Sequence, residues 1–207
     1  MPTGDEIEAL VRDHKRWSEL YGDDPQAVGW SSRRNAQRLN ALLRPWEDAL
    51  MARTLKIVDL GCGLGHLADV LISKGVDFEY LGLDINPELI ARASRRHPSL
   101  QFRASNFMDE TIDADLIVSA GMLNRKFADS RDLLSHLLRL CQSSPALGAS
   151  LNFLSAKAIA RRSENFYVHM GWIDDEIDRS LTSGFVLDGD TLPGELIVYF
   201  RRVGEHG

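Results

Sequence analysis

The sequence is poor in several features that mark common protein classes. It has only two cysteines, Cys62 and Cys141, and neither lies in a C-x-x-C pair, which argues against a disulfide scaffold, a zinc knuckle and a dithiol redox motif. No apolar run approaches the ~20 residues of a membrane-spanning helix. Lysine and arginine number 24 against 30 acidic residues, and the net charge of −6 disfavours nucleic acid as a partner. The polar, acidic start Met1–Glu6 is unlike a secretory peptide, so we expect a protein of the reducing cytoplasm.

The length and composition fit one α/β domain with a small appendage. The chain has 207 residues, 44% hydrophobic and 26% charged, which is an ordinary globular balance. Apolar residues at helical spacing predict a helix over Asp5–Tyr21, and a second helical stretch follows Ser31–Ser32 and is divided near Pro45. Because this part shows no strand signal, we divide the chain into a helical segment, residues 1–54, and a main domain, residues 55–207.

In the main domain, strand-like and helix-like segments alternate. Such alternation is typical of βαβ units with right-handed crossovers, so we predict an α/β fold with a doubly wound parallel sheet. The predicted elements are strands Leu55–Leu60, Phe78–Leu83, Leu100–Ser105, Asp115–Ala120 and Ala149–Leu154 and helices Leu64–Lys74, Pro87–Arg96 and Asp129–Cys141. Two later strand-like runs, Phe185–Leu187 and Glu195–Phe200, have a short connection and must therefore pair antiparallel.

The most informative segment is the glycine-rich turn Val58–Gly65, which follows the first predicted strand and opens a helix. In this context a glycine turn lets a nucleotide-like ligand approach the backbone. The pattern is G-x-G-x-G, with His66 where a dinucleotide fingerprint needs its third glycine, so NAD is disfavoured; no G-K-S/T follows, which excludes a Walker P-loop. Asp84 ends the next predicted strand, where a carboxylate can accept both hydroxyls of an adenosine ribose.

These segments resemble the class I S-adenosylmethionine-dependent methyltransferases. The likeness is carried by Val58–Gly65 and Leu81–Ile90, with weaker agreement at Phe102–Phe107 and Ala114–Ala120, and it extends over about residues 55–202. It implies a Rossmann-like sheet of seven strands with the last antiparallel, an N-terminal helical lid, and S-adenosyl-L-methionine as the cofactor. The residues that would bind this cofactor are Asp59, Gly61, Cys62, Gly63, Gly65, Asp84, Ile85, Asn106, Phe107, Ser119 and Ala120.

By the same resemblance, each part of the cofactor has its own partners. Asp59 and the loop glycines would hold the methionine moiety, Asp84 the ribose hydroxyls and Ile85 one face of the adenine. Asn106 stands where the family commonly has an acid for the adenine amino edge, and an asparagine carbonyl can still accept from that group. The pair Ser119–Ala120 would border the sulfonium.

Three residues are the candidates on the acceptor side: Asn124, Tyr21 and His169. Asn124 follows the fourth predicted strand, at the carboxyl edge that faces the crevice in this fold, and either binds a substrate amine or the cofactor's carboxylate or caps its loop. Tyr21 and Trp30 either form an aromatic wall against the sulfonium or pack inside the lid. His169 lies in an aromatic segment after the fifth strand, where family members often cover the substrate, or it packs in the core.

Two arginines of the helical segment, Arg34 and Arg38, are four positions apart and share one helix face. They either meet a substrate carboxylate or offset nearby acids at the surface. We interpret them as surface charges.

The resemblance implies an enzyme that transfers the methyl group of S-adenosylmethionine to a nitrogen or oxygen atom of a small-molecule acceptor. We expect no metal and no membrane partner. Because no catalytic base is evident, other functions stay open. One is another use of the cofactor, such as an intramolecular cyclisation that releases methylthioadenosine. The others are a non-catalytic cofactor-binding protein and methylation of a protein or RNA.

Overall fold

A computed structural model describes residues 3–180, 182–188 and 192–202, which form α-helices and one mixed sheet. The helices are α1 Gly4–Tyr21, α2 Ser32–Leu43, α3 Glu47–Ala52, α4 His66–Lys74, α5 Pro87–Arg96, α6 Ser130–Ser143 and α7 Met170–Asp175. The strands are β1 Leu55–Leu60, β2 Phe78–Asp84, β3 Gln101–Ala104, β4 Leu116–Ala120, β5 Gly148–Leu154, β6 Thr182–Asp188 and β7 Glu195–Arg202. Short 3-10 helices lie at Pro25–Val28, Arg44–Trp46 and Phe107–Asp109.

Local chemistry explains where the helices begin and end. Helix α1 starts at a capping box, in which the Thr3 hydroxyl accepts from the Glu6 backbone N–H at 3.3 Å and the Glu6 carboxylate accepts from the Thr3 N–H at 2.8 Å. Helix α5 has the bounds that the sequence predicts, because Pro87 occupies its first turn and the Asn86 side chain caps it. The predicted division near Pro45 is confirmed: a 3-10 turn separates α2 from α3.

The sheet has the strand order β3-β2-β1-β4-β5-β7-β6. Strands β1 to β5 pair in parallel, and β7 runs antiparallel to both of its neighbours, β5 and β6. The predicted Rossmann-like sheet of seven strands with an antiparallel last strand is thus confirmed. The order reverses between β1 and β4, so a crevice opens at their carboxyl ends, where α/β folds bind ligands.

Apolar residues cover both faces of the sheet, as a doubly wound fold requires. Successive β1 side chains alternate: Ile57 packs with α2, α3 and α4, whereas Val58 and Leu60 pack with α6. Helix α2 and the turn after it contribute buried Leu42 and Trp46 to the first of these cores. The boundary predicted at residue 54 therefore does not separate two packing units. Helix α1 differs, since its residues are exposed or only partly buried and it packs over the 3-10 helix Pro25–Val28.

Candidate functional site

The glycine turn after β1 crosses the carboxyl edge of the sheet. Gly61, Gly63 and Gly65 all have a left-handed backbone, with φ of +73°, +53° and +77°, a conformation that other residues rarely adopt. The N–H groups of Gly61 and Cys62 donate to the Leu83 carbonyl at 2.8 and 3.0 Å. These bonds tie the turn to the end of β2 and place its backbone next to Asp84.

Asp84 is fixed by two backbone donors at the end of β2. Its Oδ2 accepts from the Gly63 N–H and its Oδ1 from the Asn86 N–H, each at 2.9 Å. Burial raises the pKa of this carboxyl, and the two backbone hydrogen bonds act in the opposite direction. Each oxygen has a second lone pair, so a carboxylate held in this way can still accept from two neighbouring hydroxyl groups.

Asp59 lies near the end of β1, buried and bonded to one neighbour. The Tyr80 hydroxyl donates to Asp59 Oδ2 at 2.7 Å. Burial raises the pKa of Asp59 to about 7; the Tyr80 hydrogen bond lowers it and the nearby Asp84 charge raises it further. A cation placed beside Asp59 would favour its ionised form, so this position suits a ligand ammonium group.

The loop after β4 brings Asn124 to the same crevice. The amide Nδ2 and Oδ1 of Asn124 are both buried and have no hydrogen-bond partner in the described part of the chain. The Asn124 backbone carbonyl accepts from the Phe166 N–H at 2.9 Å, which fastens this loop to the segment that follows β5. Gly121 lies between the Asn124 amide and the Trp30 ring. A Cβ added there would come within 2.6 Å of Asn124 Nδ2 and 2.4 Å of Trp30 Cζ2, so a larger residue would collide with both.

Trp30 is held by a buried ion pair. The Arg38 guanidinium stacks 3.5 Å from the centroid of the Trp30 ring. Arg38 is fully buried and donates through Nε and Nη2 to both Glu195 oxygens at 2.8 Å, while Asn152 Nδ2 donates to the same carboxylate at 2.9 Å. Our interpretation of Arg38 as a surface charge is therefore wrong: Glu195 at the start of β7 draws it inside. Arg34, the second of the two arginines, is half-exposed, and its Nε lies 3.5 Å from Glu195 Oε1.

Helix α1 covers the crevice with one face. The residues of this face recur at spacings of three and four, and they are Ile7, Leu10, His14, Trp17 and Tyr21. The Arg125 guanidinium lies 3.0 Å from Asp13 and the Glu6 carboxylate accepts from the Ala128 N–H at 2.9 Å, so polar contacts fasten α1 to the loop after β4. Burial lowers the pKa of His14 to about 4, which keeps the imidazole neutral at neutral pH.

These elements line an open cavity of about 590 Å³. Most of the predicted site residues line it, namely Tyr21, Asp59, Gly61, Cys62, Gly63, Asp84, Ile85, Asn106, Phe107, Ala120 and Asn124. Burial raises the pKa of the Cys62 thiol well above its ordinary value, so this cysteine acts as a small apolar wall residue. Tyr21 stands at the rim and is 44% exposed.

Three predicted site residues lie elsewhere, and we do not retain them as ligand contacts. Gly65 faces the rings of Phe102 and His97, so its role is helix packing. The Ser119 hydroxyl donates to the Leu60 carbonyl at 3.0 Å, inside the sheet. His169 precedes α7 and packs against the Trp172 ring at 4.6 Å between centroids.

Sequence reasoning missed His14, Tyr80 and the Trp30–Arg38 stack. His14 had a usable signal, since it falls on the apolar stripe of α1 with Ile7 and Leu10. Tyr80 had one too: it shares a sheet face with Asp59 because β1 and β2 pair Asp59 with Gly82, two residues away.

Known proteins resemble this chain both in sequence and in fold. A family profile described as a methyltransferase domain matches residues 58–144. Trans-aconitate 2-methyltransferase of Methylobacterium nodulans is 31% identical over 81 residues, which cover 37% of this chain and 31% of that protein. The solved magnesium protoporphyrin IX methyltransferase of Synechocystis PCC 6803 with bound S-adenosylhomocysteine has a TM-score of 0.68 at 15% identity and covers 94% of this chain and 99% of that one. A TehB-like S-adenosylmethionine-dependent methyltransferase of Corynebacterium glutamicum has a TM-score of 0.61 at 22% identity. The match covers 91% of this chain and 97% of that one.

The matched profile contains the glycine turn, Asp84 and Asn124, whereas α1 and Trp30 lie outside it. The chain spans about a third of the length of the trans-aconitate enzyme.

Within the described ranges, no group of three or more His, Cys, Asp or Glu side chains is placed to hold a metal ion. None of the helices in those ranges combines the length and apolar character that a membrane crossing requires.

Proposed function

Since residues 58–144 match a methyltransferase-domain profile, we propose that the chain is a class I S-adenosylmethionine-dependent methyltransferase. We propose that it binds S-adenosylmethionine in the crevice at β1, β2 and β4 and transfers the methyl group to a nitrogen or oxygen atom of a small molecule. The observation that carries this proposal is the convergence of Asp84 and Asp59 on one cavity with the glycine turn between them. Neither carboxylate alone distinguishes a ligand site from a helix cap or a buried acid.

The residues present fit this cofactor. Asp84 offers acceptor positions for the two ribose hydroxyls, and its backbone bonds to Gly63 and Asn86 fix their direction. Asp59 offers a carboxylate to the ammonium of the methionine moiety, beside backbone that carries no side chain at Gly61 and Gly63. Asn106 would accept from the adenine amino group, with Ile85 and Phe107 against the ring.

The chain's own contribution to the reaction is alignment. When bound, S-adenosylmethionine supplies a methyl group on a sulfonium, which is already activated for an in-line displacement. Trp30, Ala120 and Asn124 form the wall where the acceptor would meet that methyl group, and α1 covers the cavity and excludes water. The polar contacts of Asp13 and Glu6 with the loop after β4 hold this cover in place.

A small molecule is the acceptor that this cavity favours. Its volume of about 590 Å³ lies within the usual range of sites for small ligands, about 300–1,000 Å³. By their names, the trans-aconitate and magnesium protoporphyrin IX enzymes also act on small molecules. The acidic balance of the chain is unfavourable for an RNA substrate.

Product analysis tests the proposal. The purified protein is incubated with S-adenosylmethionine, with and without a metabolite extract filtered to small molecules, and the nucleosides are quantified by chromatography. We expect S-adenosylhomocysteine to form only with the extract, and Asp84→Ala to abolish most of it. Methylthioadenosine above the rate without protein would overturn methyl transfer in favour of cyclisation or another use of the cofactor.

A further inference from the structure

The Asn124 side chain is a buried amide without internal partners. Its Nδ2 and Oδ1 have no hydrogen bond within the described ranges, although the backbone of the residue is fully engaged with Gly121 and Phe166. A buried polar group without a partner is unfavourable because it has lost its hydrogen bonds to water, and such groups are uncommon in folded proteins. Nδ2 lacks an acceptor and Oδ1 lacks a donor, so a ligand that pairs with both atoms has an acceptor and a donor side by side.

The neighbouring Trp30 ring restricts the shape of that ligand. Trp30 and Asn124 approach each other across Gly121, whose backbone is left-handed at φ +75° and leaves no room for a Cβ. Both side chains line the cavity. A flat group therefore can lie against the indole while its polar edge reaches the amide, an arrangement that aromatic side chains favour.

The charge behind the ring restricts the ligand further. Arg38 covers one face of Trp30 and is itself outside the cavity lining, so the ring presents its other face and its edges to the ligand. A cation on one face draws the π-electrons toward it and weakens the attraction of a second cation on the other. A carboxylate has no donor for Asn124 Oδ1. Both charged classes are therefore disfavoured at this wall.

We propose that Asn124 and Trp30 form an acceptor subsite for a planar, uncharged group with a hydrogen-bond donor beside an acceptor, such as a carboxamide or the cyclic amide of a heteroaromatic ring. The inference rests on the proposed function, because it places the subsite at the acceptor end of the methyl-transfer cavity. The substrate class follows from the two amide atoms of Asn124 that have no partner within the described ranges.

Three probes of similar size test the subsite on the protein saturated with S-adenosylhomocysteine: benzamide, benzoate and benzylamine, each titrated by calorimetry. Benzamide is expected to bind about tenfold tighter than either charged probe, the factor of one well-satisfied amide pair. Tighter binding of benzoate or benzylamine would overturn the proposal, and so would the failure of all three to bind.

Two variants and one control locate the effect. Asn124→Leu removes both polar atoms and should bring the three probes within about twofold of one another, whereas Asn124→Asp replaces the donor with a carboxylate and should make benzylamine the tightest of the three. Asn40→Leu is the matched control, since the Asn40 amide bonds only within its own helix, to the Ala36 carbonyl, and it should keep the preference. An unchanged preference in a folded Asn124 variant would refute the assignment.

The outcome is separable from that of the proposed function. The thermal shift caused by S-adenosylhomocysteine reports the cofactor site, which lies on Asp59 and Asp84, and Asn124→Leu should retain it. If that shift is present and the benzamide preference is absent, the subsite alone is wrong. If the shift is absent in the parent protein, the proposed function fails first.

Discussion

The buried ion pair behind Trp30 gives the sharpest stability prediction. Arg38 is fully buried and Glu195 is 3% exposed, and two hydrogen bonds of 2.8 Å join them. Replacing Arg38 with methionine would leave the carboxylate inside the protein with Asn152 as its close donor and Arg34 at 3.5 Å. A buried charge without its partner is among the costliest defects a substitution can create.

The magnitude follows from this environment. Loss of one partner of a buried pair typically costs 3–5 kcal/mol, and the half-exposed Arg34 offsets part of it, so we expect about 3 kcal/mol for Arg38→Met. For a chain of this size, 1 kcal/mol corresponds to roughly 2–4 °C, so Tm should fall by about 6–12 °C. Adding Glu195→Gln removes the stranded charge and keeps an acceptor for Asn152, and the double variant should recover about 2 kcal/mol.

Chemical denaturation of the parent, the two single variants and the double variant measures this coupling as a double-mutant cycle. Arg33→Met is the matched control on the exposed side of the same helix and should stay within about 0.5 kcal/mol of the parent. Additive losses, with no recovery in the double variant, would refute the reasoning, because the two charges would then be independent.

Three further predictions concern the crevice. Asp84→Ala should weaken S-adenosylhomocysteine binding by roughly 1.5–3 kcal/mol in calorimetry, the scale of hydrogen bonds to a charged group; unchanged affinity would make Asp84 a cap only. Gly121→Ala should lower stability more than Gly75→Ala in thermal melts, because both have a left-handed backbone but only Gly121 has Trp30 within 2.4 Å of the new Cβ; equal losses would contradict the close packing. With the pKa of Asp59 raised to about 7, the folded state keeps a proton that the unfolded state loses near pH 4, so the contribution of Asp59 to stability should fall as pH rises from about 4 to 7 and level off above. The lowered pKa of His14 acts in the opposite direction over this range, so the measurement is the stability of the parent minus that of Asp59→Asn at each pH; a difference that does not change with pH would refute the prediction.

Much of the fold was predictable because its signals are local. The run Leu55–Leu60 is apolar and rich in strand formers, and Pro87 sets the start of a helix, so the bounds of β1 and α5 agree with the prediction. The glycine turn and Asp84 could be placed together because parallel strands bring their carboxyl ends to one edge. These signals lie within a few residues of the positions that they determine.

The rest depends on contacts between distant parts of the chain. Arg38 and Glu195 are 157 positions apart, and on an isolated helix Arg38 is indistinguishable from its exposed neighbours. Ser119 and His169 carry plausible ligand atoms, but a carbonyl of β1 and the ring of Trp172 engage them instead. The Asn124 amide has no hydrogen-bond partner among the described residues, and this is visible only when every surrounding donor and acceptor has a position.

Cofactor binding tests the central claim most directly. The protein is melted in the presence of S-adenosylhomocysteine or NAD, each at the same concentration. At a hundredfold excess over Kd, a bound ligand stabilises the folded state by about 2.7 kcal/mol, or roughly 5–11 °C for a chain of this length. We expect that shift with S-adenosylhomocysteine, a much smaller one in the Asp84→Ala variant, and none with NAD. A shift with NAD and none with S-adenosylhomocysteine would contradict the account.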